Sequence, residues 1–249
     1  MSEHNIQPIR PAATVIIVRD VGATYEIFML RRTSRAAFAG GMYVFPGGRV
    51  DGDDHLHKYD KYRSGPSEAQ LPQQEALGFE WRGFWIACIR ETFEEAGLLL
   101  AYQRDGQLLD HVDDAMRARF DDYRHGIHEH RVTLDEICER EGLILAIDHI
   151  HYLNRWITPL GRPRRFDTRF FVAEAPVGQT GGHDDKETVD SVWVSPQQAI
   201  SRHHADEFGL MSVTLKQLEM LAEYPNVDAL RTMLESDRKF PVYRPVIPA

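Results

Sequence analysis

Two cysteines in 249 residues are too few to staple a fold. Cys88 and Cys138 stand 50 positions apart, in no spacing that suits a metal site or a disulfide framework. Cys88 falls within an apolar run and is expected in the core. No run of about 18 apolar residues is present, which argues against a membrane-spanning helix. Met1 to Pro11 lacks the basic and apolar regions of a signal peptide. The closing Val246-Ile247-Pro248-Ala249 is not a Ser-Lys-Leu peroxisomal address. A reducing, cytoplasmic setting is therefore the expectation. Positive charge is also short: 29 Lys and Arg against 38 Asp and Glu give a net charge of −9. That balance argues against non-specific binding to nucleic acid. No internal repeat is visible.

A hydrophobic share of 43% over this length supports a sizeable core and one domain, with or without insertions. The arginines are clustered, as Arg31, Arg32 and Arg35, then Arg155, Arg162, Arg164, Arg165 and Arg169. Local guanidinium clusters in an acidic chain suit a small phosphorylated ligand.

The most informative run is Arg90-Glu91-Thr92-Phe93-Glu94-Glu95-Ala96-Gly97-Leu98. On a helix, Glu91, Glu94 and Glu95 stand at i, i+3 and i+4 and share one face. Ile86, Ile89, Phe93 and Ala96 fall on the opposite face, so the helix can bury an apolar stripe while gathering three charges. Like charges at that spacing repel, and a hard divalent cation with oxygen ligands would offset the repulsion. Arg90 can pair with Glu94 four residues on, and Gly97 suits the left-handed residue that closes a helix. Taken alone, an acidic helix face is ordinarily a solvated one. Upstream lies Phe45-Pro46-Gly47-Gly48-Arg49-Val50-Asp51, where paired glycines let the backbone approach a ligand closely. Taken alone, that segment is a tight turn after Met42 to Phe45.

Together the two segments resemble the signature of the Nudix hydrolases, G-x5-E-x7-R-E-U-x-E-E-x-G-U, with U a bulky apolar residue. Gly48 matches the leading glycine, and Arg90, Glu91, Glu94, Glu95, Gly97 and Leu98 match the second half in order and spacing. Thr92 stands where a bulky aliphatic is usual. The pattern places the second glutamate 15 residues after the glycine, whereas here the separation is 91 − 48 = 43, so 43 − 15 = 28 residues are inserted between Asp51 and Trp81. The first glutamate has no assigned counterpart. Asp54 lies at its uninterrupted position, and Glu80 and Arg82 lie near it on the downstream side. The insertion from His55 to Gly78 is polar and reads as a surface loop.

An interrupted box with an intact helix is similar to the acyl-coenzyme A diphosphatase branch of that superfamily. Leu30-Arg31-Arg32-Thr33-Ser34-Arg35 followed by Gly40-Gly41, Trp156-Ile157-Thr158-Pro159 and the stretch Arg164 to Phe171 resemble that branch too. The resemblance implies an α/β fold, an α/β/α sandwich around a mixed β-sheet with an added helical segment. It implies one Nudix domain over residues 1–249, with insertions at about 52–80 and about 103–145. It also implies hydrolysis of a diphosphate with Mg2+ or Mn2+ as cofactor. Glu91, Glu94 and Glu95 with the Gly47 carbonyl would be the metal ligands, and Arg90 their orienting partner. Glu187, in the acidic loop Gly181 to Glu187, is the candidate general base, with Asp184 and Asp185 behind it. For substrate contact the candidates are Arg32, Arg35, Phe45, Gly48 and Arg165, because guanidinium forks bind phosphate oxygens bidentately and aromatics such as Phe38, Phe45 and Trp156 can stack on adenine. Coenzyme A or an acyl-CoA is the leading substrate. ADP-ribose, NADH or a nucleotide sugar is the alternative, and a nucleotide-binding regulatory domain is the alternative of another class. A small-molecule partner is expected, with neither nucleic acid nor membrane, and a homodimer is left open.

Local patterning predicts strands at Ala12 to Val18, Tyr25 to Arg31, Met42 to Phe45, Leu98 to Tyr102, His151 to Ile157, Arg169 to Ala173 and Thr188 to Val194. It predicts helices at Phe84 to Ala96, His111 to Tyr123, Leu134 to Glu141, Pro196 to His203 and Ser212 to Glu223. Ser195-Pro196 marks a helix start.

Overall fold

The first two strands explain the architecture. In Ala12-Ala13-Thr14-Val15-Ile16-Ile17-Val18, almost every residue is apolar, the pattern of a strand covered on both faces. In the computed structural model, which describes residues 8–36, 39–110, 113–184 and 186–246, this segment is the centre of a mixed sheet. Ala13, Val15 and Ile17 enter one core, and Ile16 and Val18 the other. The next strand divides likewise, Phe28 and Leu30 against Ile27 and Met29. A sheet covered on both faces by helices is the three-layer α/β/α sandwich that the resemblance implies.

The chain runs β1 (Ile9–Val21), β2 (Thr24–Arg32), β3 (Tyr43–Val44), β4 (Gly47–Arg49), α1 (Leu71–Leu77), α2 (Trp81–Ala96), β5 (Ala101–Tyr102), α3 (Asp114–His128), α4 (Leu134–Glu141), β6 (Ile144–Leu145), β7 (Ile150–Ile157), β8 (Arg165–Glu174), β9 (Thr188–Val194), α5 (Pro196–His204), α6 (Ser212–Leu221), α7 (Val227–Glu235) and β10 (Val242–Tyr243). The main sheet has the order β10-β7-β8-β1-β2-β3, with β4 also paired to β1 and β9 to β2. The β1–β8 pair is parallel and the β1–β2, β1–β4 and β7–β8 pairs are antiparallel, so the sheet is mixed. Helix α2 packs in the first core. Helices α6 and α7 pack in the second, through Leu218, Leu221, Leu230 and Leu234. Among the described residues no helix is long and apolar enough to cross a membrane.

Three expectations are corrected. Helix α7 follows α6 and has no counterpart in the sequence reading; Asn226 caps it by accepting the amide of Ala229 at 2.9 Å, a start signal that precedes only nine helical residues. Leu98 to Leu100 are fully buried but form no strand, and only Ala101 and Tyr102 pair, with β6. The insertion is not a loose surface loop. It folds into short helical turns and α1, and it buries Tyr59, Gln70, Gln73 and Leu77. Gln70 donates to the carbonyls of Ile147 (2.8 Å) and Ile150 (2.9 Å). Gln73 accepts from the Tyr152 amide and donates to Leu234 O (3.2 Å). These polar side chains were read as solvent-facing. Instead they bind main-chain groups around the start of β7 and, through Leu234, at the end of α7, where Ile150 O also accepts from Trp85 Nε1 at 2.8 Å.

Gln73→Leu keeps the volume and strands the amide of Tyr152 and the carbonyl of Leu234. It is expected to lower stability by about 2–4 kcal/mol in urea unfolding, from the cost of unpaired buried polar groups. A change near zero would restore the surface-loop reading of the insertion.

Candidate active site

Helix α2 carries the acidic run. Phe84 to Ile89, Phe93 and Ala96 are buried, so the helix is enclosed along most of its length. It stops at Gly97, whose φ of +68° is the left-handed closing position and whose amide donates to Phe93 O at 3.0 Å. Glu95 is buried; Glu91 and Glu94 are largely covered.

Strand β4 lays the glycine pair directly on this helix. Gly47 and Gly48 sit opposite Thr14 and Ala13 of β1. Gly47 has φ +150°, and a Cβ there would stand 2.4 Å from Ala13 O and 2.6 Å from Thr14 Cα. At Gly48 a Cβ would lie 2.5 Å from both carboxylate oxygens of Glu91. No side chain fits at either position without moving β1 or Glu91. The Gly47 amide donates to Glu95 Oε2 at 2.9 Å, so the main chain of β4 fixes one carboxylate.

Arg90 holds the other two. Its Nη1 donates to Glu91 Oε1 (2.9 Å) and to Glu94 Oε1 (3.3 Å), and Nη2 donates to Arg49 O (2.9 Å). Its remaining fork is bidentate on Asp54, Nε to Oδ1 at 2.9 Å and Nη2 to Oδ2 at 2.8 Å. Asp54 is fully buried. The first acidic position of the box has no assigned counterpart in the sequence, and Asp54 is the carboxylate near that position that pairs with Arg90. The signal was present, because 54 − 48 = 6 is the uninterrupted spacing. Glu80 and Arg82 drop out; Arg82 is bidentate on Asp60 inside the insertion.

The carboxyl groups of Glu91, Glu94 and Glu95 are all held above the usual range, in each case chiefly by burial. Glu91 also raises Glu95, and Arg90 only partly offsets the effect at Glu91 and Glu94. The site thus carries more buried negative charge than its arginine neutralises. Each carboxylate uses one oxygen in the bonds described and keeps the other. Among the described residues, no three such side chains already converge in a ligating arrangement. An oxygen-only donor set of excess negative charge fits a hard divalent cation such as Mg2+ or Mn2+.

Arg32 and Glu187 meet at the edge of this site. Arg32 Nη2 donates to Glu187 Oε2 at 3.3 Å, and Thr33 N donates to Glu187 O at 3.0 Å, which pins Glu187 beside the end of β2. Both charges act on Glu95, Arg32 lowering and Glu187 raising its pKa. Glu187 remains about half exposed, at 52%. The Nε of Arg32 is buried with no partner among the described residues.

Other candidates do not join the cluster. Asp184 is spent on its own loop, accepting from Thr188 N (2.9 Å), Thr188 Oγ1 (2.8 Å) and the amides of Lys186 and Glu187. Phe45 is buried in the second core and presents no face for adenine. Trp156 is stacked on Tyr243 at 4.5 Å between ring centres. Arg165 is 8% exposed and donates to Thr158 O at 3.2 Å, where β8 begins beside Ile9. Its register lies three residues along β8 from Thr168, which pairs with Ala12. Arg35 is exposed. Phe38 and Asp185 lie outside the described residues. A cavity of about 210 Å3 opens beside Glu94, lined also by Arg124, His125, His128, His183 and Lys186. A larger one, about 300 Å3, lies between β7, β8 and α7 and touches none of Glu91, Glu94 and Glu95.

A family model described as the NUDT19 Nudix domain matches residues 66–219. The acyl-coenzyme A diphosphatase NUDT19 of Gallus gallus is 29% identical over 248 residues, covering 86% of this chain and 65% of that protein. The protein of the same name from Xenopus laevis is 22% identical over 239 residues, covering 84% and 63%. The chain thus spans somewhat less than two thirds of the length of these relatives. Among solved structures, a NUDIX hydrolase from Alicyclobacillus acidocaldarius aligns with a TM-score of 0.72 over 92% of this chain and 97% of that one, at 23% identity, which shows a shared fold.

Asp54→Ala leaves the Arg90 guanidinium buried without its bidentate partner. It is expected to cost about 3–5 kcal/mol in denaturant unfolding, the range for breaking a buried pair from one side. A loss below about 1 kcal/mol would show that Asp54 does not anchor Arg90.

Proposed function

Because the chain belongs to the NUDT19 Nudix-domain family, a family of Nudix hydrolases, we propose that it is a divalent-metal-dependent diphosphatase acting on coenzyme A or an acyl-CoA. The observation that carries the reading is the contact of Gly47 and Gly48 with Glu95 and Glu91, on a helix whose arginine is locked by buried Asp54. One water is consumed. Its oxygen bonds to one phosphorus, the bond from that phosphorus to the bridging oxygen breaks, and two phosphate monoesters leave. For coenzyme A these are 3′,5′-adenosine diphosphate and 4′-phosphopantetheine.

Glu91 and Glu95 are the principal holders of Mg2+ or Mn2+, with Glu94 and the Gly47 carbonyl as further ligands. The bound cation would neutralise phosphate charge and make a bound water more acidic. Arg90 does not touch substrate; it fixes Glu91 and Glu94 against each other's repulsion. Glu187 accepts the proton of the attacking water, being exposed and close enough to Glu95 to act on its charge. Arg32 binds substrate phosphate. Its Nε lacks a partner, and a phosphate oxygen would supply one at a fork otherwise engaged only through Nη2. Exposed Arg35 adds a second cation on the same approach, which favours a ligand with a 3′-phosphate besides its diphosphate. The name that the Gallus gallus and Xenopus laevis relatives carry supports the same substrate.

The test is turnover of coenzyme A, acetyl-CoA, dephospho-CoA, ADP-ribose and NADH with Mg2+ or Mn2+, with products identified by mass. Release of 3′,5′-adenosine diphosphate, and Arg32→Ala losing about 10-fold or more on coenzyme A than on dephospho-CoA (one to two charge-assisted hydrogen bonds), is the expected result. Preference for ADP-ribose or NADH would keep the chemistry and overturn the substrate.

A further inference from the structure

Helix α2 ends where its chemistry is concentrated. The last four carbonyls of an α-helix have no partner within the helix, and here they belong to Phe93, Glu94, Glu95 and Ala96. Each has a donor. Phe93 O takes the Gly97 amide at 3.0 Å. Glu94 O takes Nε of Arg124 at 2.8 Å, and Glu95 O takes Nη2 of Arg124 at 2.7 Å. Ala96 O takes the Gly182 amide at 2.9 Å. The same Nη2 of Arg124 also donates to Gly182 O at 2.9 Å. One guanidinium, from helix α3, therefore joins the end of the glutamate helix to the segment that leads to Glu187.

We infer that Arg124 is a positioning residue: it holds Glu94, Glu95 and the main chain at Gly182 in one fixed arrangement, so that the two sides of the site act on one substrate. Three features support this. The negative end of the helix dipole is an unfavourable place for three carboxylates, and a cation there offsets it. Two of its bonds go to the main-chain oxygens of Glu94 and Glu95, so they set backbone position without using a carboxylate oxygen. A second, weaker link ties the same two elements, since Lys186 Nζ lies 4.0 Å from Glu129 Oε1 just beyond α3. The packing leaves little slack, because a Cβ at Gly97 would stand 3.1 Å from Nη1 of Arg124. The helical insertion thereby becomes a structural part of the site. Lysine cannot replace the fork, because its single ammonium cannot reach three carbonyls in the plane that the guanidinium spans.

This inference rests on the proposed diphosphatase reading, and the experiment separates the two. Wild type, Arg124→Ala and Arg124→Lys would be compared for Mn2+ affinity without substrate, for amide exchange at Gly182, and for kcat and KM on the best diphosphate substrate. Arg124→Ala is expected to speed exchange at Gly182 at least 10-fold, to weaken Mn2+ binding several-fold and to lower kcat about 10- to 100-fold with KM changed less than about 3-fold, the pattern of lost positioning. Arg124→Lys is expected to recover melting temperature but not kcat. Wild-type exchange and Mn2+ affinity in a folded Arg124→Ala protein would overturn the inference. So would a fall in melting temperature alone, with kcat intact. If wild type turned over no diphosphate, the proposed function would fail, while exchange and Mn2+ affinity would still decide the role of Arg124.

Discussion

Three carboxylates gathered in the last turns of an enclosed helix impose the constraint from which the rest of the site follows. Glu91, Glu94 and Glu95 repel one another, lose hydration and sit at the negative end of the α2 dipole. Two guanidiniums counter this from different sides. Arg90 binds two of the carboxylates and is itself held by Asp54. Arg124 covers the carbonyls beneath the other end of the cluster. What these two do not neutralise remains as excess negative charge, and the chemistry proposed for the site depends on that excess.

The sheet supplies the rigidity. Strand β1 is buried on both faces and pairs with β8, β2 and β4, so the glycine strand has little freedom relative to helix α2. Glycine at 47 and 48 reflects lack of room more than need for flexibility. The main chain of β1 stands where a side chain at 47 would be, and the Glu91 carboxylate where one at 48 would be. The insertion adds a further layer on the first core, and its glutamines bind the main chain around β7.

Much of this was legible in the chain because it rested on short-range pattern. The i, i+3, i+4 glutamates, the closing Gly97 and the double-sided apolar run of β1 are each local signals, and strand β9 matches its predicted bounds of Thr188 and Val194. Asp54 was legible by spacing but ambiguous, because an insertion of unknown place separates it from Arg90, and only the bidentate contact pairs the two. The burial of Gln70 and Gln73 is not legible in the polar run His55 to Gly78, since a polar side chain that serves a buried main-chain group looks like one that faces water. Phe45 differs for the opposite reason: an aromatic next to a glycine pair looks available for stacking, but it packs with Tyr43 in the second core. Arg124 was invisible, because its partners are main-chain atoms that carry no residue-type signature.

Glu91 and Glu95 lie in a site of excess negative charge that, in the proposed function, a divalent cation would complete. The most direct measurement is Mn2+ binding by electron paramagnetic resonance to wild type and to a Glu91→Gln, Glu95→Gln double variant of matched fold. Wild type is expected to bind Mn2+, and the variant at least about 100-fold more weakly, given the loss of two hard anionic ligands. Equal affinity in the two proteins would place the cation elsewhere and remove Glu91 and Glu95 as its ligands.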